Sequence, residues 1–461
     1  MNETKELVKR CHEFSFDKIP PEVIEKVKYL TLDFVGVAAR GTLSDSSKVM
    51  KSFITKCASS PEGAYIIGSP LRALPQYAAL ANGTAAHSLE LDDVVNEASL
   101  HPAVAIFPAV FSACFISRAS IKKFIEGIVI GYEVMIRLGK ALNPSLHYAQ
   151  GFHPTGTCGT MGAAVAAAKV MGLSEEKMLN ALGIAGSQAS GSMEFLADGA
   201  WTKRMHPGWA AHNGIIAALL AKEGYTGPSS IIEGRSGFLH AYSPKSEIGE
   251  VLANWGRPFK IIKTSIKPHS CCRYMQAPID GILKIMSEYS LTPEAIEKVT
   301  LGILKTAFPI VVEPKKLKYS PRSVVDAQFS MPFGAAVAII FGKAGLDEFI
   351  QKNVESKKVK EFMSKVECVE NPELDKVFPE KWPATVEIKT KNGNTYSTRI
   401  EYPKGDPENP LSWDELIKKF NVLTGAIYPE KRRKEILSMI KGLEDKPFVN
   451  FYRLLQKNTN S

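Results

Sequence analysis

Apolar positions recur at three- and four-residue spacing through most of the first 260 residues, the period of helices with one buried face. "PPEVIEKVKYLTLDFVGVAARG" has this spacing, opens with proline in its first turn and closes on Gly41. "PQYAALANGTAAHSLELDD", "HPAVAIFPAVFSACFIS" and "SIKKFIEGIVIGYEVMIRLGKAL" continue it, followed by "GTCGTMGAAVAAAKVMG" and, after Ser174 as N-cap, "EEKMLNALGIAGSQASG". Gly159, Gly162, Ala163, Ala166, Ala167, Gly183 and Gly186 recur along these helices, so the pattern predicts a bundle with closely approaching backbones.

The texture changes after Trp255. "AIEKVTLGIL" alternates like a strand, and "ATVEIKTKNGNTYSTRIEY" is two alternating runs around Asn392-Gly393, a hairpin signal. Helical segments are expected between them at 326–341 and 346–355. From "SWDELIKKFNVLTG" onward the helical period returns, with Ser412 and Glu415 as a capping box. The reading is a mainly α protein: a large all-α helical domain over 1–266 and 404–461, and a smaller inserted α+β lid domain over 267–403.

A chain of 461 residues with 45% apolar and 23% charged positions can bury more than one core. Its net charge of +9 admits anionic partners, but the densest basic clusters, Lys357-Lys358 and Lys431 to Lys434, lie in Glu-rich helical patterns without interleaved aromatics. A nucleic-acid partner is not expected. The apolar runs near 103–116 and 333–341 are too short for a membrane span, which takes ~20 residues. The polar start "MNETKELVKRCHEF" has no apolar signal core. Seven cysteines without a CxxC pair fit reduced, mostly buried thiols, so a cytoplasmic protein is expected.

Four motifs carry candidate chemistry. His101-Pro102, His153-Pro154 and His206-Pro207 each precede an apolar helical pattern. Proline presets the first helical turn, so each histidine is expected at a helix mouth, where the dipole disfavours imidazolium and attracts anions. Taken singly, each reads as a passive cap; three together point to a shared anion site. "HSLELDDVVNE" places Glu90, Asp92 and Asp93 near a helix C-terminus, where carboxylates oppose the macrodipole and need a cation. A metal held by His87, Asp92, Asp93 and His101 ranks below a charge-paired, metal-free arrangement. "GAWTKRMHPGW" brings Lys203, Arg204 and His206 together, and "IIKTSIKPHSCCRYMQAPIDG" carries Lys267, His269 and Arg273, each interleaved with Trp, Cys or Tyr. Semi-apolar cations suit a small polycarboxylate. No Walker loop, dinucleotide fingerprint or GxSxG elbow is present. No cofactor is implied, and base-catalysed removal of a proton next to a carboxylate is chemistry that side chains alone can do.

"NGTAAHSLELDD", "LHPAVAIFPA", "GFHPTGTCGTMGAA", "WTKRMHPGWAAHNGI" and "IKPHSCCRYMQAPID", in this order and spread nearly end to end, resemble the MmgE/PrpD family. That family contains 2-methylcitrate dehydratase, cis-aconitate decarboxylase and iminodisuccinate epimerase. The resemblance implies a helical domain with a lid, a homodimer, and a reaction without cofactor or metal. It carries catalytic positions onto His101, His153, Lys203 and Lys267, and the acidic motif onto Glu90 to Asp93. Tyr148 is the candidate partner of Lys267 from the opposite face. Arg204, His206, His269 and Arg273 are candidates, with the acidic motif, for binding substrate. Where the decarboxylase has a threonine, a histidine and a tyrosine, this chain has Val94, Cys272 and Met331, which disfavours decarboxylation. The expectation is a hydro-lyase acting on a hydroxylated di- or tricarboxylate such as 2-methylcitrate. A two-base epimerase of a small dicarboxylate is the runner-up, and a non-catalytic binding homologue remains as a third reading.

Overall fold

The computed structural model describes residues 2–443 and 447–457. Helix dominates, and the most enclosed helix is Pro154–Val170, every residue of which is buried. It is packed by helices Ile121–Ala141, Ala103–Ser117 and Thr202–Lys222, the last of which also crosses Pro75–His87. Small residues make these crossings possible. A Cβ on Gly83 would stand 2.6 Å from the Gly208 Cα, and one on Gly214 would stand 2.5 Å from the Ala163 Cβ. Side chains there would push the helices apart, and the small residues read from the sequence act alike: a Cβ on Gly162 would stand 2.9 Å from the Gly131 carbonyl oxygen and one on Gly183 2.7 Å from the Gly227 carbonyl carbon.

One continuous apolar cluster runs from Leu7 to Ile266 and resumes from Leu411 to Leu455. A second, from Cys271 to Ile388, surrounds a four-stranded sheet. The chain's strands in order are β1 (Ser59–Tyr65), β2 (Arg72–Ala73), β3 (Val94–Val95), β4 (Thr264–Ser265), β5 (Ile296–Ile303), β6 (Val366–Glu370), β7 (Ala384–Thr390) and β8 (Thr395–Ile400). The sheet has order β6-β5-β7-β8, with β5 and β6 parallel in register Val299 to Val366 and the other pairs antiparallel. The β7–β8 hairpin turns at Asn392-Gly393, with Gly393 at φ +89°. Helices Gln276–Glu288 and Met331–Phe341 pack against this sheet.

Some expected elements differ. The 326–341 helix is two pieces, Val324–Gln328 and Met331–Phe341, because Ser330 caps the second by accepting from the Phe333 N–H. Only Gln351–Glu355 of the 346–355 segment is helical. The expected all-helical first 260 residues include the β1–β2 pair and a long stretch of turns after Lys222. The capping box at Ser412 and Glu415 and the Ser174 cap are in place. Among the described residues no helix is long and apolar enough to cross a membrane.

Candidate active site

Helix Pro75–His87 ends at Ser88, and the chain then turns through Glu90, a non-glycine residue at φ +53°. The left-handed conformation is held from the second apolar unit: the Leu89 carbonyl accepts from Ser270 Oγ at 2.7 Å and from Gln328 Nε2 at 2.9 Å. Beyond the turn, β3 pairs with β4 (Val94 with Ser265, Val95 with Thr264), which brings the acidic motif alongside the segment leading to Lys267. Two stretches separated by some 170 positions are therefore adjacent.

The carboxylates of that turn are answered by cations and imidazoles. Glu90 pairs with Lys203, whose Nζ also lies 5.0 Å from the centre of the Phe329 ring. Burial alone would raise the Glu90 pKa, but Lys203, Lys267 and His87 together hold it well below the usual carboxylate range. Asp92 Oδ2 accepts from His87 Nδ1 at 2.8 Å and lies 3.2 Å from His101 Nδ1. His101 Nδ1 also donates to the Asp93 carbonyl at 2.5 Å, leaving Nε2 as the lone-pair nitrogen. Burial lowers the His101 pKa to about 3 despite Asp92, so the ring is neutral. Asp93 is different in kind. Its carboxyl accepts from Tyr132 Oη (2.8 Å) and the Ala103 N–H (3.0 Å), and burial raises its pKa to about 8.

Of these groups, Glu90, Lys203 and His101 line a cleft. His153 and Tyr148 line it with them, together with apolar Phe195, Phe329, Ile310 and Trp382. Tyr148 donates to the Ser99 carbonyl at 2.9 Å, and burial pushes its pKa well up. Lys267 is not on the cleft wall. It is buried just behind, its Nζ 3.8 Å from Asp92 Oδ1, and among the described residues neither atom has a hydrogen-bond partner.

The helix-mouth expectation holds for His153, the N-cap of Pro154–Val170. At His101 the helix starts one residue later than expected, with Pro102 as N-cap. His206 is a correction: it lies inside Thr202–Lys222, with Pro207 within the helix at the cost of one backbone hydrogen bond. Its ring instead meets His153, Nδ1 to Nδ1 at 3.1 Å, and burial lowers both pKa values. Arg204 turns away from the cleft to Ser46 Oγ at 3.3 Å. His269 bonds Asp280 at 2.8 Å, also off the cleft. Arg273 lines the cleft, but its Nη2 is bound to both Asp406 oxygens (2.7 and 2.8 Å) and its Nε to Asn96.

His87 emerges as a further member. Its fully buried ring lies 5.2 Å from His101 and stacks at 5.7 Å on His153, linking the two cleft histidines. Proximity within "HSLELDD" was the available signal. Phe329 and Trp382 had none, because only the tertiary fold brings them to the cleft. Among the described residues no group of three or more His, Cys, Asp or Glu side chains is arranged to hold a metal ion. Of the three departures noted in sequence, Val94 and Cys272 line the cleft, whereas Met331 lies in the core of the second unit.

Residues 5–250 match the model of the MmgE/PrpD N-terminal domain and residues 269–445 that of the MmgE/PrpD C-terminal domain. A cis-aconitate decarboxylase of Aspergillus terreus is 29% identical over 463 residues, covering 96% of this chain and 93% of that protein. The human cis-aconitate decarboxylase is 28% identical, covering 96% and 92%. A cis-aconitate decarboxylase-like protein of Aspergillus oryzae, oryM, is 27% identical, covering 96% and 95%.

Proposed function

The chain belongs to the MmgE/PrpD family, and from that premise we propose that it is a lyase that moves a proton at a carbon next to a carboxylate of a small di- or tricarboxylate. The observation that carries this reading is Lys267, a buried ammonium without a hydrogen bond to the described protein, one layer behind a cleft lined by His101, His153, Lys203 and Glu90. Unsatisfied buried polar groups are rare and concentrate where chemistry needs them. The charges around the turn balance, Glu90 and Asp92 against Lys203 and Lys267, with the histidines neutral. A polycarboxylate entering this site adds negative charge, which raises the pKa of the nearby imidazoles and draws protons onto them.

For dehydration, neutral His153, or Lys267 once it has given up a proton and become the free amine, takes the α-proton, and the C–H electrons form the new double bond. The C–O bond breaks on the neighbouring carbon, and His101, protonated at Nε2 when the substrate's negative charge enters the site, gives that proton to the departing hydroxide, which leaves as water. Lys203 and Arg273 hold carboxylates. Val94 and Cys272 on the cleft wall favour this outcome. The names of the relatives favour a second reading, decarboxylation of cis-aconitate, and the position of Met331 removes one of the three departures that spoke against it.

Purified protein incubated in D₂O with citrate, 2-methylcitrate, cis-aconitate and aspartate-derived imino acids separates the readings by mass spectrometry. Loss of water from a hydroxylated tricarboxylate is the expected result, and loss of CO₂ from cis-aconitate establishes the second. Deuterium in recovered substrate without a new double bond means epimerisation. Lys267→Ala should lower turnover by roughly 10²- to 10⁴-fold, the usual worth of a general base. A Lys267→Ala protein that turned over every substrate like wild type would remove the catalytic assignment.

A further inference from the structure

The segment carrying Lys267 is clamped from behind by the far end of the chain. Lys419, on helix Trp413–Thr424, extends its ammonium to Asp33 Oδ1 of helix Pro21–Gly41 at 2.6 Å. The same Nζ donates to the backbone carbonyls of Leu91 (3.0 Å) and Lys267 (2.8 Å). Two of its protons go to those carbonyls, and the ion pair with Asp33 holds the charge beside them. Leu91 sits between Glu90 and Asp92, so one side chain grips both the acidic turn and the lysine segment.

Other contacts act on the same two stretches. Leu91 packs with Val37 and Leu423 in a small apolar cluster. Lys26 donates to the Thr264 carbonyl at 2.7 Å, and the β3–β4 pair joins the stretches one step further along. Neither Lys419 nor Asp33 is on the cleft wall, and their side chains are only 11% and 2% exposed. Apolar residues of similar size would often stabilise such a joint at least as well as a buried ion pair. What the ammonium adds is direction, because its protons fix two carbonyls relative to each other.

We infer that Lys419, held by Asp33, is a positioning residue that sets the spacing between the Glu90–Asp92 turn and Lys267. The catalytic half of this inference rests on the proton-transfer reading; the clamp itself does not. The test compares wild type, Lys419→Met and the double variant Asp33→Asn/Lys419→Met by backbone hydrogen–deuterium exchange and by kinetics. Lys419→Met leaves a buried carboxylate unpaired and lowers the thermal midpoint. The double variant removes both charges and should recover much of that stability.

In both variants, exchange in residues 91–95 and 264–267 should rise about tenfold or more, with helix Pro154–Val170 unchanged. In the double variant kcat should fall roughly 10- to 100-fold with KM within about threefold, the signature of misplaced reacting groups. Unchanged local exchange, or a double variant with wild-type kcat, overturns the positioning role. If exchange rises locally while wild type transforms none of the carboxylates, the clamp stands and the proton-transfer reading falls.

Discussion

Glu90 combines two features that oppose stability: a left-handed backbone, which costs a non-glycine residue of the order of 1 kcal/mol or more, and a buried charge. Lys203 compensates the charge, and an incoming substrate carboxylate would compete with Glu90 for that ammonium. Glu90→Gln keeps the shape and removes the competitor. The variant should be less stable by about 3 kcal/mol, because Lys203 is left buried and unpaired, and it should bind citrate more tightly than wild type. Calorimetric titration, with the thermal midpoint followed against citrate, checks both. Weaker binding in the variant would mean that Lys203 does not receive a substrate carboxylate. At this scale the sequence was informative where a motif fixes both residue type and local backbone, as at His153 and at the acidic turn. It was less so where side-chain direction decides: Arg204 follows Lys203 directly, yet bonds Ser46 and does not line the cleft.

At the scale of elements, periodicity located the helices whose faces differ and the β7–β8 hairpin, whose turn chemistry is local. It did not locate β1–β2 or the turns after Lys222, where long-range packing rather than a repeating face makes the apolar positions buried. The crossing of helices Pro75–His87 and Thr202–Lys222 is the element-level feature on which the site depends, since these helices lead into Glu90 and carry Lys203. Gly83→Ala would add a Cβ 2.6 Å from the Gly208 Cα and 2.7 Å from the Val104 carbonyl oxygen. Overpacking of this kind costs about 1–3 kcal/mol, of which the better helix propensity of alanine returns up to about 1. Urea unfolding should show a net loss, and turnover should fall with it because Lys203 moves away from Glu90. A variant as stable as wild type would show that the two helices can separate freely.

For the whole molecule, the concentration of neutral imidazoles in one core makes stability depend on pH in a definite direction. Burial lowers the pKa of His101 to about 3, of His147 and His206 to about 4, and of His153 well below its usual 6.5. Such groups stabilise the fold above pH 6.5, and that contribution is lost as pH falls toward their folded values. Asp93 acts in the opposite sense: with its pKa raised to about 8, it favours the fold at low pH, and the contribution fades as pH rises from 4 to 8. Below pH 6.5, unfolding takes up protons at several histidines, and the proton released from Asp93 offsets only part of that uptake. Stability should therefore peak between about pH 6.5 and 8 and drop steeply on acidification, measurable by urea titration at half-unit steps. Asp93→Asn should leave the acid limb steep while flattening the decline on the alkaline side. A shallow acid limb, near one proton per unit, would mean that the histidine cluster is already charged in the folded protein, and His101 could not then be neutral in the free enzyme.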